Sequence, residues 1–179
     1  AGANWTALAY DDSAWSGLTT PSVHITEIGA GRPDYIEVQN LAGTAIDTSG
    51  WKVVMKQYYY TSINDAAIVQ MDLPSVMYPG QIVFGNNTAG SWRFDLVHPD
   101  TVLPAAINWE ANQPGWALIL DDQGVVVDFV AWGYSPSELA TFDMTINGFH
   151  VTADTSWLGA GAPAAPDATT RPILSRVGT

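Results

Sequence analysis

The chain has 179 residues and a formal net charge of −12, from six Lys and Arg against eighteen Asp and Glu, a length that suits one domain of sandwich or barrel size. Hydrophobic residues make up 47% and charged residues 13%, which excludes a disordered acidic tail. The acid surplus repels a phosphate backbone, which excludes nucleic acid as a partner.

Ala1 to Thr20 carries Trp5 and Trp15 around Tyr10-Asp11-Asp12-Ser13. Residue 1 is Ala and no leader follows, so the natural start is expected to be processed or trimmed away and the chain to be a piece of something longer. Short apolar runs separated by Gly, Pro, Asn and Asp then predict strands, at Val23 to Ile28, Tyr35 to Asn40, Gly50 to Lys56, Ala67 to Leu73, Gln81 to Gly85, Trp116 to Asp121 and Val125 to Trp132. The fold class is therefore all-β. Pro79-Gly80 suits the centre of a type II turn, because Pro fixes φ near −65° and Gly accepts the positive φ that follows. Asp121-Asp122-Gln123-Gly124 joins two apolar strands as a short hairpin loop.

The run Val125 to Trp132 is apolar on both faces, so one face meets a sandwich core and the other needs a cover. Phe142, Met144 and Ile146 alternate up to Asn147-Gly148, and Phe149 and Val151 alternate after it, which is a hairpin expected to lie over Val126 and Val130. Pro136 to Ala140 suits one helical turn, with Ser135 as cap and Pro136 at the first helical position. Gly159 to Ala168 is nearly all Gly, Ala and Pro and reads as a linker. Ile173, Leu174 and Val177 offer a final strand. No apolar run has the length of a membrane helix, so a soluble chain without membrane insertion is expected.

Candidate chemistry is sparse. With no Cys in the chain, thiol catalysis, thiolate metal sites and disulfides are excluded. No GxSxG, GxxxxGK[ST] or GxGxxG pattern occurs, and His24, His98 and His150 show no metal-ligand spacing. Glu27 and Glu37 fall on neighbouring strands if the first hairpin pairs. Two carboxylates about 5 to 5.5 Å apart would suit a retaining glycosidase, and the plainer alternative is that both hold backbone donors or face water. Asp11-Asp12 and Asp121-Asp122 offer oxygens for a structural calcium ion, or serve as ordinary turn formers. Asn4-Trp5-Thr6 and Asn86-Asn87-Thr88 are formal glycosylation acceptors. Among eight Trp and seven Tyr, Trp51 is expected in the core, whereas Tyr59, Trp92 and Trp109 are the rings expected to be accessible and to stack on a glycan.

The string from Val23 to Val53, with Ile25 and Glu27, then Asp34-Tyr35-Ile36-Glu37-Val38 leading to Asn40, then Ser49-Gly50-Trp51, resembles the opening of a lamin tail domain. Leu73-Pro74, Tyr78-Pro79-Gly80-Gln81-Ile82-Val83 and the closing hairpin Trp116 to Gly133 continue the resemblance, over about two thirds of the chain. It implies an immunoglobulin-like β-sandwich with Glu27, Glu37, Asn40, Trp51, Pro79 and Gly80 as structural hallmarks. The chain lacks heptads and is poor in basic residues, so the nuclear role of lamins is not implied; the likeness is to bacterial members in large exported proteins. Tyr10-Asp11-Asp12-Ser13-Ala14-Trp15 resembles the DDSxW segment of galactose-binding-like domains, and Arg171 to Gly178 resembles a stretch that follows tail domains in exported bacterial proteins.

These readings divide the chain into an N-terminal arm or remnant of a preceding domain (residues 1–21), a lamin-tail-like sandwich (22–134), a hairpin extension packed on it (135–158), and a linker with a tail (159–179). The expected function is a non-catalytic interaction or architectural module, extracellular or at the cell surface, without a cofactor beyond structural calcium. Its expected partners are other domains of the same polypeptide or a cell-surface protein. The alternatives are a carbohydrate-binding module and an accessory domain of a neighbouring enzyme.

Overall fold

The computed structural model describes residues 23–30, 34–56, 62–86, 92–93, 102–103, 107, 109–110, 112–152 and 173–175. In chain order the strands are β1 (Val23–Gly29), β2 (Tyr35–Asn40), β3 (Ile46–Asp47), β4 (Lys52–Lys56), β5 (Ile68–Asp72), β6 (Val76–Met77), β7 (Ile82–Asn86), β8 (Trp92–Arg93), β9 (Val102–Leu103), β10 (Gly115–Leu120), β11 (Val126–Trp132), β12 (Asp143–Ile146), β13 (Phe149–Thr152) and β14 (Ile173–Ser175). One helical turn, α1 (Pro136–Leu139), precedes β12. The protein is all-β, and its ladders are antiparallel. The predicted runs match β1, β2, β4, β5, β7, β10 and β11, and the C-terminal run matches β14. The two-residue ladders β3–β6 and β8–β9 are too short to leave a periodic signal.

Two four-stranded sheets, ordered β14-β1-β2-β7 and β11-β10-β4-β5, enclose the first core. Val23, Ile25 and Ile28 of β1, Ile36 and Val38 of β2 and Val83 of β7 meet Val53 and Met55 of β4, Met71 of β5, Ala117 and Ile119 of β10 and Trp132 of β11. Successive strand residues point to opposite faces, so Val54 of β4 and Trp116, Leu118 and Leu120 of β10 turn outward. They join a second core with Phe129 and Ala131 of β11. All six residues of β10 are buried as a result.

The hairpin β12–β13 covers that outward face. Met144, Ile146 and Val151 pack in the second core with Tyr134, Leu139 and Phe142, and the Phe142 ring stands edge-on to Trp116 at 5.1 Å. The expected cover over Val126 holds, but Val130 packs against the first core instead. A register shift between Ile119 and Leu120, opposite Asp128 and Val126, resets the alternation along β11. Trp51, expected in the core, is only partly buried at its rim, because it precedes β4 and lies outside the ladder.

The turns follow their residues. Asn147 (φ 54°) and Gly148 (φ 86°) join β12 to β13, the positive-φ pair that a type I′ turn requires. Gly80 (φ 72°) follows Pro79, and the Gln81 amide donates to the Tyr78 carbonyl at 2.9 Å, which closes the type II turn. The Ser135 side chain accepts the Glu138 amide while the Glu138 carboxylate accepts the Ser135 amide, so α1 starts with a capping box. Asn64 fastens the loop before β5 to the hairpin, donating to the Thr141 carbonyl (2.7 Å) and accepting the Asp143 amide (2.9 Å).

Phe142 is 1% exposed and touches two rings of the outward face. Phe142→Ala is expected to cost about 3–5 kcal/mol in urea unfolding, with amide protection lost in β12 and β13 before β1 and β2. A cost under about 1 kcal/mol would place the ring outside a packed core.

Candidate functional site

The two sequence-predicted carboxylates do meet. Glu27 and Glu37 are direct cross-strand partners on β1 and β2, both half-buried, on the face of the first sheet turned away from the core. The register shift between Ile25 and Glu27 brings Thr26 into play, and its hydroxyl donates to Glu37 at 2.6 Å. Tyr35 donates its phenol to Glu27. The Tyr35 ring lies over Gly29, where a Cβ would come within 2.1 Å of it, and beside Phe84 with centroids 5.4 Å apart. Each carboxylate therefore accepts from a side-chain hydroxyl of its own scaffold, where the plainer expectation is a backbone donor or water.

Buried polar groups serve as fasteners. Asp128, 1% exposed on β11, accepts the Ile25 amide of the opposite sheet at 2.7 Å and the Phe129 amide at 3.0 Å, with the His24 ring nitrogen 3.7 Å away. Asn40 is fully buried and makes five bonds at 2.8–3.0 Å. Its backbone pairs with Gln81 and Gly80, its Nδ2 donates to the Thr44 and Met77 carbonyls, and its Oδ1 accepts the Ala42 amide. Asp34 accepts the Trp109 amide at 3.1 Å.

Trp109 corrects an expectation. It is 3% exposed, with its indole N–H donated to the Lys56 carbonyl at 2.7 Å and its ring edge-on to Trp132 at 5.0 Å. Its surroundings in sequence look like a loop, but the pairing to Asp34 and Lys56 draws the ring into the first core. Trp92 falls on β8, where only the backbone is described, and Tyr59 lies outside the described residues. Pro79 and Gly80 form the turn bonded to Asn40. Asp121 accepts the amides of Gln123 (2.9 Å) and Val125 (2.7 Å), which closes the β10–β11 turn; Asp11, Asp12 and His98 lie outside the described residues. Exposed His150 pairs with Asp143 at 2.8 Å. Among the described residues, no three His, Asp or Glu gather to hold a metal ion.

Two groups that sequence reasoning passed over sit in the second layer. Lys56 ends β4 at 1% exposure, its ammonium 5.8 Å from the centre of the Tyr134 ring. Burial lowers its pKa, an effect that Asp65 partly opposes. The Tyr134 hydroxyl is buried without a hydrogen-bond partner among the described residues, and burial, reinforced by the charges of Glu138 and Asp65, pushes its pKa up. A lone Lys at the end of an apolar run, and a lone Asp128 within one, were the available signals. An isolated charge in a strand that must be covered needs a partner.

Compared with models of known protein families and with curated proteins, the chain matches none.

Tyr35 and Tyr134 both hold their protons more tightly when folded, chiefly through burial. An unfolded phenol ionises near about 10, so their contribution to stability is intact below that pH and declines as pH rises beyond it. Lys56 acts in the opposite sense, since losing its proton removes a buried charge. Phenolate absorbance separates the two. A late ionisation wave that coincides with unfolding, and shrinks in Tyr35→Phe and Tyr134→Phe, is expected; a single wave at the ordinary pH would contradict the burial of both.

Proposed function

We propose that the chain is a non-catalytic interaction or architectural module of an exported multidomain protein, built as an immunoglobulin-like sandwich of the lamin-tail kind. The observation that carries the reading is that four carboxylates of the described residues are engaged in holding the scaffold together: Glu27 by Tyr35, Glu37 by Thr26, Asp128 by the Ile25 amide and Asp34 by the Trp109 amide. A general acid or base must instead reach a substrate proton.

Strand order supports the immunoglobulin-like half of the proposal. With β1, β2, β4, β5, β7, β10 and β11 taken as strands A, B, C, C′, E, F and G, the sheets run A-B-E and G-F-C-C′, with β14 added at the edge beside A. That order is compatible with an immunoglobulin-like sandwich that lacks strand D. The hallmarks Asn40, Pro79 and Gly80 fall at one bonded corner of the first sheet, where a family pattern would be structural. The carbohydrate-binding alternative loses the buried Trp109 from its three candidate rings.

Chromogenic glycosides, esters and phosphate esters are expected to show no turnover with the whole chain. Glu37→Gln should cost about 1 kcal/mol of stability through the weakened bond from Thr26. Turnover that disappears in Glu27→Gln or Glu37→Gln would refute the non-catalytic reading.

A further inference from the structure

β1 accepts a strand that lies far away in the sequence. Its second half, Glu27–Gly29, pairs with β14 in the register Glu27↔Ser175, Ile28↔Leu174 and Gly29↔Ile173, and β14 closes that edge of the first sheet. On the other side of the register shift, Ile25 gives its amide to Asp128 of β11 at 2.7 Å. The strand-accepting length of β1 is therefore bounded. A carboxylate caps the edge at Ile25, and a ladder of three residues occupies the rest. Such an edge offers a row of backbone donors and acceptors that an extended segment of suitable chemistry can pair with.

The present occupant is held by that short ladder at the end of a long tether. Among the described residues β14 pairs with β1 and with no other strand. Residues 153–172 separate it from β13, a reach of roughly 70 Å when extended. A tethered strand resists a free competitor only through the effective concentration that its tether allows.

Charge says what kind of segment fits. Residues 168–179 hold Arg171 and Arg176, two of the chain's six basic residues, and none of its eighteen acids. The edge they join carries Glu27 and, on the next strand, its direct partner Glu37, in a chain whose net charge is −12. Opposite charges on a strand and its acceptor speed the encounter and fix the register.

We propose that the Glu27–Gly29 edge of β1 is a β-augmentation site for an extended basic segment of another polypeptide, with the chemistry of Arg171 to Arg176, and that residues 173–175 are its exchangeable occupant in cis. Ladder hydrogen bonds supply the affinity, and the arginines supply the preference for this acidic chain. The proposal deepens the interaction-module reading and rests on it, yet the two fail separately. Turnover that disappears in Glu37→Gln refutes that reading, whereas missing peptide binding refutes this site alone.

The probe is an amidated peptide of Thr170 to Thr179, and the acceptors are the full chain and its Leu174→Pro/Ser175→Pro variant. Successive residues of an antiparallel strand direct their N–H groups to opposite sides, so one of the two prolines removes a bond to β1. The fluorescein-labelled peptide is expected to bind the variant roughly tenfold or more tightly than the parent chain, whose own tail competes, and to weaken as salt is raised. With a nitroxide in place of the dye, the amides of Glu27, Ile28 and Gly29 are expected to broaden while β10 keeps its exchange protection. No binding to a variant with protected β10, equal affinity for both chains, affinity indifferent to salt, or broadening that misses Glu27–Gly29 would each overturn the proposal. Should the variant fail to fold, the parent decides alone: millimolar nitroxide peptide must broaden the same amides, and their staying sharp refutes the site.

Discussion

A sheet that is apolar on both faces cannot stand with one face in water, and the architecture follows from that constraint. β10 is buried along its whole length, and β11 alternates Phe129 and Ala131 with Val130 and Trp132. One side is met by β1, β2 and β7. The other must be met by material that a two-sheet sandwich does not supply, and α1 with the β12–β13 hairpin supplies it. Each buried leucine or phenylalanine on that face contributes about 1.5–3 kcal/mol that would be forfeited in water. The hairpin is thus part of the stability of the sandwich as well as an appendage to it.

Hydrophobic burial fixes which faces meet but not how they are aligned, and the buried polar groups supply the alignment. Asp128 reaches from β11 to the Ile25 amide across a separation of 103 residues. An unpaired amide there would cost about 1–3 kcal/mol, so sliding one sheet past the other is penalised at a specific atom. Asn40 does the same at the corner, tying β2 to the chain entering β7 and to the segment around β6. Asn64 repeats the device between the loop before β5 and the hairpin. The same polar side chains are the ones that a search for chemistry would single out, and their engagement here is why the functional proposal leans toward interaction and away from catalysis.

Lys56 and Tyr134 are the exception to this economy, a cation and a hydroxyl with no hydrogen-bond partner among the described residues, both inside an apolar layer. The ammonium draws on the Tyr134 ring face and on Asp65, interactions that gain strength where water is excluded. Alkali acts on the two in opposite senses, relieving the buried charge of Lys56 while drawing down the contribution of the Tyr134 phenol.

The sequence by itself determined the strand positions, because alternation and turn residues act over a few neighbours. The Asn147-Gly148 turn, the Pro79-Gly80 turn, the Ser135 cap and the opposition of Glu27 and Glu37 all depend on local backbone preference and short-range pairing. Only the tertiary structure decided the burial of Trp109 and the single bulge that sends Val130 inward. It alone also settled that Asp128 bonds to β1 and that Asn40 ties β2 to the chain around β6 and β7. Each of these depends on residues tens to a hundred positions apart meeting at bonding distance, and no local pattern encodes which distant donor a lone Asp or Trp will meet.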